Sequence, residues 1–115
     1  MKKIEITFNG TTETYAYENN LDYEGAVAFC KKNGGTLPTR WFLWEYDHDQ
    51  GKSRWELLGK KMKKVEDYPW AWVSDNRIPQ PYRWLVSLAN GGTDYEFRNE
   101  ADYHTYALCA PALTL

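Results

Sequence analysis

The chain has 115 residues, a formal net charge of −2 and 26% charged residues. That length fits one domain spanning residues 1–115, and the balanced charge excludes the strong field expected of nucleic-acid or acidic-membrane binders. Six Trp, nine Tyr and four Phe are an unusual load; such side chains serve either a core or a recognition face.

The opening MKKIEITFNG lacks the apolar run of a secretory signal, and no stretch approaches ~20 apolar residues. The expectation is a cytoplasmic or virion-associated chain without a membrane span. Cys30 and Cys109 stand 79 positions apart. That spacing does not suit a zinc site. It permits one long-range bridge, but a chain without a signal is expected to keep both thiols reduced.

Ile4, Ile6 and Phe8 alternate with polar residues, which predicts a half-buried strand. Asn9-Gly10 predicts a tight turn, and Thr11 to Tyr17 the returning strand. This register sets Glu13 opposite Ile6 on the apolar face, which calls for a bulge or a face only partly covered there. Asp22 is placed to cap a helix carrying Ala26, Phe29, Cys30 and Asn33 on one side, with Gly34-Gly35 as its stop. Thr39, after Pro38, is placed to cap a second helix, rich in Trp41, Trp44 and Tyr46, running to about Gln50.

Ser53 to Glu56 is a capping box, followed by Trp55, Leu58, Met62 and Val65 at helical spacing. Lys60, Lys61, Lys63 and Lys64 lie on the far side, which in a chain of this charge reads as a solvated face rather than a phosphate grip. From Trp70 the period changes to two: Trp70, Trp72 and Ser74, then Tyr82, Trp84, Val86 and Leu88. Residues 75–81 form a turn-rich loop, Asn90-Gly91-Gly92 a turn, Thr93 to Arg98 a strand, and Tyr106 to Ala110 the last strand. The sum is an α+β fold: an N-terminal β-hairpin, two to three helices, then a twisted antiparallel β-meander.

The motif order resembles the C-type lectin-like fold. It is closest to bacterial and phage lectin-like domains of unknown function and to the formylglycine-generating sulfatase-modifying family. The residues carrying the likeness are Ala26, Phe29 and Cys30; Gly34 and Gly35; Leu37-Pro38-Thr39; Trp44-Glu45-Tyr46; Trp72-Val73-Ser74; and Tyr106 with Cys109. They span about residues 20 to 110, with one extra residue between Leu-Pro-Thr and Trp-Glu-Tyr. The resemblance implies that the first helix packs beneath the last strand, bringing Cys30 and Cys109 together as a disulfide or a buried thiol pair. It also implies adjacent N- and C-terminal strands, Ile4 to Phe8 pairing near Tyr106 to Ala110.

Lectin calcium motifs are incomplete here: Gln80-Pro81-Tyr82 lacks the second acid, and Phe97-Arg98-Asn99-Glu100 lacks the Trp. Calcium wants six to eight oxygens. The sulfatase-modifying enzymes use a close cysteine pair near the C-terminus, where Cys109 stands alone. Asp47-His48-Asp49 reads as a solvated helix end, because helix neighbours diverge by about 100°. His104 has Asp102 nearby but no nucleophile in a recognisable setting. No catalytic residue, metal or cofactor is expected.

What remains is recognition. By the resemblance, binding falls to residues 74–84 and 94–104. The candidates there are Asp75, Asn76, Arg77, Gln80, Tyr82, Arg98, Asn99, Glu100, Asp102, Tyr103 and His104. Trp72 and Trp84 read as core. The expectation is a non-catalytic module for a protein partner, in the setting of a phage or mobile-element product that binds and blocks a host protein. The alternatives are a calcium-independent binder of a small polar or anionic ligand or glycan, and a small enzyme of unrecognised class.

Overall fold

The computed structural model describes residues 2–75, 77–79 and 81–111. Strands β1 (Lys3–Phe8) and β2 (Thr11–Asn19) form the expected hairpin. Asn9 and Gly10 take φ of 48° and 79° at its turn, the left-handed pair that matches the twist of flanking strands. The register is unbroken, with Ile6 opposite Glu13 and Phe8 opposite Thr11. The anticipated bulge is absent. The face is covered instead, because Arg54 reaches Glu13 from a distant helix and supplies the charge this carboxylate needs.

Helix α1 (Tyr23–Lys32) starts where Asp22 Oδ1 accepts the Gly25 N–H at 2.8 Å. Ala26 and Cys30 are buried along it, and Cys30 is bridged to Cys109. The expectation of two reduced thiols is therefore corrected: α1 lies against the last strand and brings the sulfurs into bonding distance. Strand β3 (Gly35–Thr36) follows and pairs with that strand's end.

Helix α2 (Arg40–Trp44) is capped by Thr39, whose Oγ1 accepts the Phe42 N–H at 3.0 Å. It ends six residues before the expected Gln50. Strands β4 (Tyr46–Asp47) and β5 (Lys52–Ser53) form a short ribbon there. Asp47 is the cause. It is buried, and its carboxylate accepts the N–H groups of Asp49 and Gln50, the Gln50 side-chain amide and the Asn9 N–H, at 2.8–3.1 Å. A side chain that binds nearby amides offers the backbone an alternative to helix. Asp47-His48-Asp49 is thus a turn, not a helix end.

Helix α3 (Arg54–Met62) begins with Glu56 accepting the Ser53 N–H at 3.0 Å. Leu57, Leu58 and Met62 face inward. Val65 lies beyond the helix and is exposed, so it does not extend the apolar stripe.

The remaining strands are β6 (Trp70–Trp72), β7 (Tyr82–Ser87), β8 (Thr93–Phe97) and β9 (Thr105–Pro111). The main sheet runs β1-β2-β9-β6-β7-β8, with β3 on β9. Strands β6, β7 and β8 form an antiparallel meander, but β9 inserts between β2 and β6 and runs parallel to β6. The sheet is therefore mixed. The N-terminal strand is not next to the C-terminal one either, because β2 lies between them.

The central strands are buried on both faces, which is why their alternation does not separate core from solvent. Ala71, Val73, Val86, Tyr106 and Leu108 pack with Leu43, Leu58 and Met62 on one side. Trp72, Leu85, Ala107 and Cys109 pack with Ala26 and Cys30 on the other. Trp72 is wholly enclosed, its indole N–H donating to the Leu21 carbonyl at 2.8 Å. Among the described residues, no helix is long and apolar enough to cross a membrane.

Candidate functional site: an aromatic face on β7, β8 and α2

The register of β7 on β8 sets Tyr82 opposite Phe97 and Trp84 opposite Tyr95. Directly paired residues project to the same side of a sheet, so the four rings share one face. Tyr82 lies 5.2 Å from Tyr95 and 5.0 Å from Phe97, and Trp84 meets Tyr95 edge-on at 6.0 Å. Burial falls outward along this cluster. Val86 is enclosed and Trp84 and Tyr82 are partly covered, while Tyr95 and Phe97 are 54% and 46% exposed.

Helix α2 lies along the same face. The Arg40 guanidinium stands 4.6 Å over the Trp84 ring. The Trp44 indole donates to the Gly91 carbonyl at 3.0 Å, which ties the helix to the β7–β8 turn. Trp41 meets Trp44 edge-on at 5.4 Å and is 68% exposed. Beside these rings, Arg77, Ile78, Pro79, Tyr82, Trp84 and Tyr95 line a cleft of about 320 Å³ with mainly apolar walls. The Trp84 indole nitrogen is buried without an acceptor among the described residues.

The residues expected from the sequence divide between two places. Arg77 and Tyr82 are in the aromatic face. Asp75 is committed elsewhere: its carboxylate accepts the Arg40 N–H at 2.7 Å and pairs with Arg40 Nε at 3.1 Å, fixing the start of α2. Asn76 and Gln80 lie outside the described residues. Arg98 pairs with Glu24, donates its N–H to the Pro81 carbonyl and accepts the Tyr23 N–H. Asn99 and Glu100 are exposed just beyond β8.

Asp102, Tyr103 and His104 are elsewhere. Asp102 Oδ1 accepts the His104 N–H at 2.7 Å, and the exposed Tyr103 ring stacks 3.9 Å from the His104 ring. His104 Nδ1 lies 3.0 Å from Glu66 Oε2. The His104 carbonyl accepts from Trp70, which starts β6 opposite Ser87 at the end of β7. Tyr82 starts β7 and Phe97, its partner, ends β8, so the two groups occupy opposite ends of the ladder. The single loop face expected over 74–84 and 94–104 is not formed as one surface.

Tyr95, Phe97 and Trp41 were missed as individual contacts. The available signal was the alternation Thr93-Asp94-Tyr95-Glu96-Phe97, which puts two aromatic rings on one side of a strand.

A larger groove, about 550 Å³, lies between α3 and the Pro69 and Leu88 segments. Lys60 and Lys63 line it together with Glu56 and Asp67, so its charges are mixed. Among the described residues, no three His, Cys, Asp or Glu side chains are grouped to hold a metal ion. The chain matches no family model, no curated protein and no solved structure.

Proposed function

We propose that this protein is a recognition module that binds a protein partner through the aromatic face of β7, β8 and α2. The observation carrying this reading is the exposure of Tyr95, Phe97 and Trp41 beside the partly covered Tyr82 and Trp84. Large aromatic rings at a surface are characteristic anchors of protein interfaces, where they bury area at little conformational cost. The cleft beside them offers a pocket for a partner's anchor, with Arg77 at its rim.

The fold we read as C-type lectin-like. The first helix is bridged to the last strand through Cys30 and Cys109, as the resemblance implies. The bridge favours an oxidising compartment or a virion surface over a reducing cytosol. A phage or mobile-element product that blocks a host protein is the setting we propose.

A second reading, a calcium-independent binder of a small polar or anionic ligand, is favoured by one observation. The cleft falls within the size of small-molecule sites, and Arg77 among its lining residues offers a cation to an anionic group.

The test is affinity capture from lysate of the source cell with wild type, Trp41→Ala, Tyr95→Ala, Phe97→Ala and the triple variant carrying all three, followed by titration of the captured protein. Loss of about tenfold or more in affinity is expected for at least one variant with its circular dichroism unchanged. Capture equal to wild type by the triple variant would remove the protein-binding reading and turn the search to small ligands.

A further inference from the structure

Strand β8 ends the main sheet, and among the described residues no strand pairs with its outer edge. The bonds from Arg98 N to the Pro81 carbonyl and from Ser87 N to the Gly92 carbonyl fix the parity of the ladder. By antiparallel alternation, the main-chain groups of Asp94 and Glu96 face β7, and those of Thr93, Tyr95 and Phe97 face outward. Two of the outward N–H groups are already occupied. That of Tyr95 donates to Asp94 Oδ1 at 2.8 Å, and that of Phe97 to Glu96 Oε1 at 3.2 Å. A bare edge invites another strand; here two carboxylates cover two of its donors.

The two faces of this edge differ. Tyr95 and Phe97 project to the aromatic side, and Asp94 and Glu96 to the other. A second β8 laid antiparallel would oppose carboxylate with carboxylate, which is repulsive. A strand with Lys or Arg at alternate positions and apolar residues between them complements both sides at once.

We propose that the outer edge of β8 is the docking site for an extended basic strand of a protein partner, alternating basic and apolar residues. This rests on the protein-binding reading above and names the chemistry of the partner. The partner's cations draw the Asp94 and Glu96 carboxylates away from the Tyr95 and Phe97 N–H groups. Those groups then donate to the partner's carbonyls, while its apolar side chains settle on Tyr95 and Phe97. Without such a partner the carboxylates keep the edge closed.

The probe is a fluorescein-labelled Lys-Val-Lys-Val-Lys-Val peptide, with Glu-Val-Glu-Val-Glu-Val as its counterpart, read by anisotropy and by exchange of individual backbone amides. The basic peptide is expected to bind at least about tenfold tighter than the acidic one, and less tightly in high salt. Its complex is expected to slow exchange at Tyr95 and Phe97. The Asp94→Asn/Glu96→Gln double variant, checked by thermal melting, is expected to lose about tenfold of that affinity.

Equal binding of the two peptides, unchanged exchange at Tyr95 and Phe97, or tighter binding by the double variant would overturn the proposal. So would absence of peptide binding while Phe97→Ala still abolishes capture of the lysate partner, which leaves the recognition face standing. Capture indifferent to the aromatic substitutions would instead overturn the face itself.

Discussion

Glu13 holds Arg54 through both carboxylate oxygens, Oε1 to Nε and Oε2 to Nη2, at 2.9 Å each. The guanidinium lies 3.8 Å from the Phe8 ring and 3.8 Å from the Phe42 ring, and its Nη1 donates to the Phe42 carbonyl at 2.7 Å. Tyr15 donates its O–H to Glu13 Oε1. Burial, and then the hydrogen bond to Glu13, push the Tyr15 phenol far above its ordinary value. One cation thus joins the N-terminal hairpin, the end of α2 and the start of α3.

Removing Glu13 leaves that enclosed cation with only the Phe42 carbonyl and the exposed Glu45 carboxylate, 3.2 Å from Nη1. Glu13→Ala is expected to cost about 3–5 kcal/mol in urea denaturation. The double variant Glu13→Ala/Arg54→Met is expected to recover most of that loss, because an apolar chain suits the space between two rings. A double variant as unstable as the sum of both single substitutions would show that the two residues do not act as a unit.

The bridge between Cys30 and Cys109 closes a loop with a sequence separation of 79. Restricting the unfolded chain over that length contributes about 4–5 kcal/mol on the chain-entropy account. Cys30→Ser/Cys109→Ser is expected to lower the denaturation midpoint by a corresponding amount, and a reducing agent to lower that of the wild type but not of the variant. Identical midpoints with and without reductant would mean that the bridge is not formed in solution.

The features legible in the sequence were those set by local backbone chemistry. Asn9-Gly10 turned the hairpin, Asp22 and Thr39 capped their helices, and the runs at Trp70 and Tyr82 formed strands. The features that escaped were decided by residues far away. Glu13 is tolerated on an apolar face because of Arg54, 41 positions along. Helix α2 stops early because Asp47 binds the next amides and Asn9 at once. The position of β9 between β2 and β6 is a long-range pairing that no periodicity encodes.

The candidate site follows the same division. Tyr82 and Arg77 were recognisable as a ring and a charge near a loop. Asp75 and Arg98 had the same appearance but are engaged by Arg40 and Glu24. Tyr95 and Phe97 acquire their meaning only because β8 is the end of the sheet, which depends on the topology of the whole chain.

Asp47 makes a prediction about pH. The Asn9 N–H first, and then the Gln50 side-chain amide, hold its carboxyl below the usual carboxylate range. The stability it supplies is therefore fully present above the unfolded value, about 3.9, and is lost as pH falls through the lower folded value. Melting temperatures of wild type and Asp47→Asn are expected to differ by a constant amount near neutral pH and to converge on acidification below about pH 4. A gap that stays constant down to the acid limit would remove Asp47 from the acid sensitivity of the fold.

Gly59 makes a prediction whose sign is the test. It sits inside α3, where replacing glycine by alanine ordinarily stabilises a helix by about 1 kcal/mol. A Cβ at this position would run into the main-chain carbonyl of Leu88 and approach the Leu88 Cβ at 3.5 Å. The obstacle is backbone, which cannot rotate away as a side chain can, so α3 would have to lift from the chain just beyond β7. Gly59→Ala is therefore expected to destabilise by about 1–3 kcal/mol, measured by urea denaturation against Lys61→Ala on the exposed side of the same helix. A more stable Gly59→Ala would mean that α3 can move off Leu88 without loss, and that this glycine does not set the distance between the helix and the sheet.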